Sequence, residues 1–347
     1  MRSSATRFMP RGILALRAAG LRSRLAACVA IALGFSSAMP LALATPIAPD
    51  ATYPPWQHGA NNPSLSKGLE FTVPDADNLA DFHGNLNNPQ LVLYYGGNSF
   101  FTMAPLVKAF EAKYPQYKGR IYFETLPPGL LARQMANGGT ITVGNMTWTV
   151  KPDVYFAGLN AVKTLIEKDV LVGPPVAYVT NELAIMVAAG NPLHITGLAD
   201  LARPDVRLAM PNPAFEGVAR QIQASLVKAG GEALKTEVYE TKVKAGTAVL
   251  TQIHHRQTPL FIMQGKVDAG VTWQSEVAFQ SQAGHPIMAV PIPAQQNTTA
   301  IYAGAAVKGA AHAQAARDWL NFIRSPESLK IFSGYGFQAY VEGGKTP

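Results

Sequence analysis

Three places in this 347-residue chain join an apolar, strand-like run to the start of a helix-like segment through a short turn of small or polar residues. They are Gly97-Asn98-Ser99, Thr125 to Gly129, and Asn212 to Gly217. The first N–H groups of a helix lack partners within it and carry partial positive charge, so such turns suit an anion or polar ligand. Singly, Asn98, Ser99 or Thr125 reads as an ordinary helix cap; three such turns in one chain point to a site. Catalytic signatures are missing: the sequence holds no GxSxG, HExxH or GxxxxGK[ST] motif and no GxGxxG after a strand. Glu124, Glu216 and Glu276 are carboxylates that could do acid–base work, but nothing in their spacing fixes how far apart they lie. His254 and His255 are adjacent, and on a helix they would point about 100° apart, which fits a solvated helix face better than a metal pair.

The elements that must hold these turns follow from the apolar pattern. LVLYY (91–95) is a continuous apolar run, as expected of a strand buried on both faces. TMAPLVKAFEAKYP after it is helical, with Leu106, Val107, Phe110 and Tyr114 on one face. RIYFETL, PPGLLARQMANGG, PDVYFAG and AVKTLIEKDVL continue as strand, helix, strand, helix, with Pro at a helix start and Gly after its end. This alternation implies right-handed crossovers and a mostly parallel sheet. TITVGNMTWTVK alternates like a hairpin added at its edge.

From about Thr180 a second series begins: ELAIMVAAG, LADL, VRLAMP, FEGVARQIQASLVKAG, TAVLTQIHHRQ (read as helix), and VDAGVTW. Two extended crossings, near Tyr178 and near Pro291, predict two α/β lobes: 90–178 with 291–347, and 179–290. Residues 45–89, rich in Pro, Asn, Asp and Gly, are expected to form an irregular arm with Trp56 and Phe71 against the body.

Charge narrows the partners. The chain has 29 Lys+Arg and 22 Asp+Glu, and its first 44 residues hold six of the arginines and no acid. The remainder, with 23 basic against 22 acidic residues, is nearly neutral, which argues against nucleic acid or an anionic membrane as partner. Residues 1–44 have the basic, apolar and small-residue parts of a cleavable secretion signal, so a periplasmic location is expected. The only cysteine, Cys28, lies in that leader, which leaves no disulfide or thiolate metal site. No cofactor is expected.

In order along the chain, the strand–turn–helix with Ser99, GLLARQMANGG with PDVYFAG, NELAIMVAAGNP and GLADLARPDVRLAMPNP resemble the molybdate-binding branch of the periplasmic solute-binding proteins of ABC importers. VDAGVTW, VPIPAQQNTTAIYAGAAVKGA and ARDWLNFIRSPESLKIFSGYGF complete the resemblance. It implies the two-lobed type 2 periplasmic-binding-protein fold, a tetrahedral oxyanion held in the cleft by neutral donors, a membrane permease as partner, no enzymatic activity and a monomer. By the same resemblance Asn98 and Ser99 supply the first turn, and Thr125 to Gly129 the second. The backbone of Phe215, Glu216, Gly217 and Val218 supplies the second-lobe donors, and Trp273 stands at a tyrosine position. Two features depart from the pattern. Pro127 and Pro128 each remove an N–H from the second turn, and Glu216 brings a carboxylate into the donor loop. If it faces the cleft, it opposes a bare dianion and favours a protonated oxyanion, a metal chelate or another cationic ligand. The aromatic turns also suit an organic ligand. An exported enzyme using the three glutamates, or an interaction protein docking through its arm, are the rival readings.

Overall fold

The computed structural model describes residues 43–47, 81–143, 146–214, 216–251 and 254–342. Most of the expected leader and arm, with Trp56 and Phe71, lies outside them, as does Phe215. In chain order the first half contains β1 (Phe82–Gly84), β2 (Leu91–Gly96), α1 (Phe100–Lys113), β3 (Ile121–Leu126) and α2 (Pro128–Ala136). It continues with β4 (Thr140–Val143), β5 (Met146–Thr149), β6 (Val154–Gly158) and α3 (Leu159–Glu167). The continuous apolar runs become strands buried along their length: every residue of β2 and β3 is buried. Strand β2 lies between β3 and β6 and is parallel to both. Tyr95 stacks on Phe156 with ring centroids 4.0 Å apart. The hairpin β4–β5 forms a sheet of its own rather than an edge of the main one.

The long strand β7 (Leu171–Ala188) leads to β8 (Leu208–Met210), α4 (Gly217–Thr236), α5 (Lys242–Lys244), β9 (Ala248–Leu250) and α6 (Gln257–Met263). Then follow β10 (Ala269–Trp273), α7 (Gln274–Gln282), β11 (Ile287–Pro291), β12 (Thr299–Val307), α8 (Ala313–Phe322), α9 (Pro326–Ser333) and β13 (Gln338–Ala339). Strand β10 is parallel to β8, and β8 to β9, so both flanks are parallel apart from the short edge strand β1, which is antiparallel to β3. The other antiparallel pairs of the main sheet lie in the middle, around β7 and β12.

There β7 joins the two halves. Up to Glu182 it pairs with β12, and from Leu183 onward with β10 and β11. The return crossing is pinned at the same place: Leu183 N–H donates to Asn297 Oδ1 at 3.1 Å, and Asn297 Nδ2 donates to the Leu183 carbonyl at 2.9 Å.

Two expectations need correction. TAVLTQIHHRQ is not a helix: Ala248–Leu250 pairs with β8, and α6 starts only at Gln257. The helix expected to end near Gly230 continues to Thr236 across a break at Gly230 and Gly231, where Gly231 adopts φ 70°, a value that glycine takes without the Cβ penalty of other residues.

Candidate functional site

Four helices begin at one cavity. Pro127, Gly158, Glu216 and Trp273 immediately precede α2, α3, α4 and α7, and all four line it. Gly97 and Asn98, at the end of β2, line it as well. The reason is topological: strands β2, β6 and β10 end there, and ligands of open α/β sheets sit beyond the C-terminal strand ends. The first turns of α3 (Leu159, Asn160, Ala161) and α4 (Gly217, Val218, Arg220) supply much of the wall. Neither first turn contains an acidic residue. From β12, Thr299 to Tyr302 complete the lining, and the volume is about 310 Å³. Asn98 Nδ2 donates to the Tyr302 hydroxyl at 2.8 Å, and Tyr302 meets Trp273 edge to face at 5.7 Å.

Glu216 is buried and its carboxylate is fully engaged. Oε1 accepts from Asn212 N–H at 3.0 Å and from the Thr251 hydroxyl; Oε2 accepts from His255 N–H at 2.5 Å. His255 Nδ1 lies 3.0 Å from Oε2, and its Nε2 lies 2.7 Å from Glu276 Oε2. That second contact is an ion pair by distance, although the N–H is not aimed at the oxygen. Burial alone would lower the His255 pKa, but the flanking carboxylates of Glu276 and Glu216 outweigh it and push it up to about 9. The result is an imidazolium clamped between two buried glutamates on the cavity wall.

The neighbouring residues point the other way. His254 Nε2 lies 3.2 Å from Asp81 Oδ2, and Arg256 pairs with Asp81 and donates to the Thr125 carbonyl at 3.1 Å. The Arg256 guanidinium also sits over the Phe100 ring, 4.5 Å from its centroid. Burial would raise the Asp81 pKa, yet Arg256 and His254 together bring it down to about 2. The expected solvated pair of histidines is therefore corrected: both are buried, and because the segment is not helical their rings serve opposite sides.

Of the residues expected from sequence, Asn98, Glu216, Gly217, Val218 and Trp273 come together on the cavity. Thr125, Ser99 and Gly129 are not among its lining. Ser99 is buried and hydrogen-bonded to Tyr178, and Thr125 gives its hydroxyl to Asp81 at 3.3 Å. Phe215 lies outside the described residues. Glu124 sits apart, accepting from the Tyr122 hydroxyl at 2.9 Å and from Gln134 at 3.1 Å. Sequence reasoning missed the α3 turn, where Gly158-Leu159-Asn160 after a buried strand was the available signal. It also missed His255, which has no local signal at all.

This site sits in a fold with known relatives. The family model for bacterial extracellular solute-binding proteins matches residues 91–338, and the chain belongs to that family. It is 27% identical over 178 residues to a sulfate-binding protein of Synechocystis, covering 49% of this chain and 50% of that protein. Against the molybdate-binding protein ModA of Mycobacterium tuberculosis it is 26% identical over 245 residues, 68% of this chain and 82% of the relative. The sulfate-binding protein SubI from Mycobacterium tuberculosis shares the fold: TM-score 0.57 at 20% identity, over 73% of this chain and 86% of that one. The architecture is the two-lobed, type 2 periplasmic-binding-protein fold.

Proposed function

We propose that this protein captures a tetrahedral oxyanion between two lobes outside the cytoplasm and delivers it, chemically unchanged, to the membrane permease of an ABC importer. The observation that carries the reading is the convergence of the starts of α2, α3, α4 and α7 on one cavity. The outer N–H groups of α3 and α4 offer donors and partial positive charge, and Arg220 and the His255 imidazolium on the same wall add positive charge. Glu216 does not spoil this, because its oxygens are held by Asn212, Thr251 and His255, and the His255 imidazolium offsets its charge. Relatives named for sulfate and molybdate binding support the ligand class.

The lobes are 90–178 with 291–347, and 179–290, with residues 1–44 a cleavable leader and 45–89 an arm. The change of β7's partners after Glu182 and the Asn297–Leu183 pair opposite it suit a hinge. A ligand touching both lobes only when they close shifts the population toward the closed form. An enzymatic role is disfavoured: Glu124 and Glu276 are not among the cavity lining, Glu276 is paired with His255, and the Glu216 oxygens are occupied. The protein acts as a monomer.

A thermal-shift screen of the leaderless protein against molybdate, sulfate, thiosulfate and phosphate tests the proposal. A ligand at 100 times its dissociation constant adds about 2.7 kcal/mol of stability, so one of these anions raises Tm by several degrees. No shift with any oxyanion, alone or esterified, sinks it.

A further inference from the structure

We propose that the preferred ligand is an organic oxyanion, a tetrahedral phosphate or sulfonate head on a short apolar body, rather than a bare inorganic ion. This deepens the oxyanion reading and rests on it. Size is the first argument. The cavity holds about 310 Å³, where a water molecule takes about 30 Å³ of liquid volume, so an ion of five heavy atoms leaves most of it to solvent. Cavities from about 300 Å³ upward are the usual size for small organic ligands.

The distribution of donors is the second. Outer N–H groups are available at the first turns of α3 and α4, whereas the start of α2 presents Pro127 and Pro128, which have none. The polar ends of Asn98 and Tyr302 are already joined to one another. Polar side chains (Asn160, Arg220, Gln221 and Thr299) share the rest of the wall with an apolar part made of the proline rings, Leu159, Ile301 and the Trp273–Tyr302 edge-to-face pair. An inorganic dianion taken from water needs hydrogen-bond donors on all sides, and an oxygen left against proline carbons loses hydration without compensation. If that oxygen is esterified, or replaced by a carbon–sulfur bond, the same wall becomes favourable contact surface.

The experiment is a calorimetric titration of the leaderless protein with matched pairs: inorganic phosphate against propyl and phenyl phosphate, and sulfate against propane-1-sulfonate, with molybdate alongside. Phenyl phosphate is expected to bind about ten-fold or more tightly than inorganic phosphate, the worth of burying a few apolar carbons. Ala161 is exposed, in the first turn of α3 and on the cavity wall, so Ala161→Phe narrows the cavity with little risk to folding. It is expected to bring the ratio of phenyl phosphate to inorganic phosphate affinity close to one, whatever it does to inorganic phosphate alone. If the inorganic ions bind as tightly as the organic ones or more so, the proposal falls and the oxyanion reading stands. A preference that survives Ala161→Phe puts the organic body elsewhere and overturns the proposal too. Binding of none of these anions overturns both.

Discussion

The His254 imidazole lies directly against the Cα of Gly97: a Cβ added at Gly97 would stand 2.7 Å from both Cε1 and Nδ1 of that ring. Gly97 opens the turn between β2 and α1, and His254 comes from a loop more than 150 residues later in the chain. The ring cannot simply swing aside, because it is fully buried and held beside Asp81 and Arg256. Gly97→Ala should therefore lower stability by about 1–3 kcal/mol, the usual cost of overpacking. A urea denaturation midpoint unchanged from wild type would show that the packing is looser than described.

His255 links stability to alkaline pH. Its pKa is raised from 6.5 to about 9 in the folded protein, so folding favours the protonated form. The stabilisation is complete below about pH 6.5 and is lost as pH rises through about 9. His255→Gln should remove that pH dependence and cost about 3–5 kcal/mol at neutral pH, because Glu216 and Glu276 stay buried without their cation. Urea midpoints at intervals from pH 6 to 9.5 check both claims. Parallel curves for the two proteins would contradict them.

Glu124 predicts the opposite outcome for a polar exchange. Burial raises its pKa from 4.5 to about 7 against the hydrogen bonds from Gln134 and Tyr122. Its favourable contribution is thus present below about pH 4.5 and is lost as pH climbs through about 7. Glu124→Gln keeps an acceptor for Tyr122 and Gln134 but cannot ionise. It should leave stability at pH 8 equal to or above wild type, and flatten the decline between pH 5 and 8 in thermal melts.

These variants divide along the line between what sequence revealed and what it hid. LVLYY, RIYFETL and PDVYFAG are long enough and apolar enough to name their strands, and the turn behind the first names Asn98 by its place after a strand. Trp273, the last residue of β10, was reached only through the family resemblance. Strand β7 was half legible: ELAIMVA was clear, and an extended crossing was expected near Tyr178, but β7 already starts at Leu171 and runs through Pro174 and Pro175. They are accommodated because pairing with β12 passes from Val176 to Val172 across a register shift, where a missing N–H costs no ladder bond. His254, His255 and Arg256 were illegible because their partners Asp81, Thr125, Glu216 and Glu276 are scattered along the chain. Only the tertiary fold turns three consecutive polar residues into two separate charge clusters.

Gly217 separates binding from folding. It opens α4 on the cavity, has no positive φ, and a Cβ there meets nothing within 4 Å. An aspartate is therefore sterically tolerated, and an acid in a helix's first turn is stabilising by about 0.3–1 kcal/mol through the helix dipole. The same carboxylate takes the N–H groups meant for the ligand and places a like charge beside it. Gly217→Asp should leave Tm without ligand equal or slightly raised, while the shift produced by sulfate, molybdate or an organic phosphate drops by at least ten-fold in apparent affinity, about 1.4 kcal/mol. Melting curves with and without each anion measure both quantities on one sample. Retained anion affinity in a well-folded Gly217→Asp protein would show that the start of α4 does not hold the ligand, and the donor role assigned to Gly217 and Val218 would have to be withdrawn.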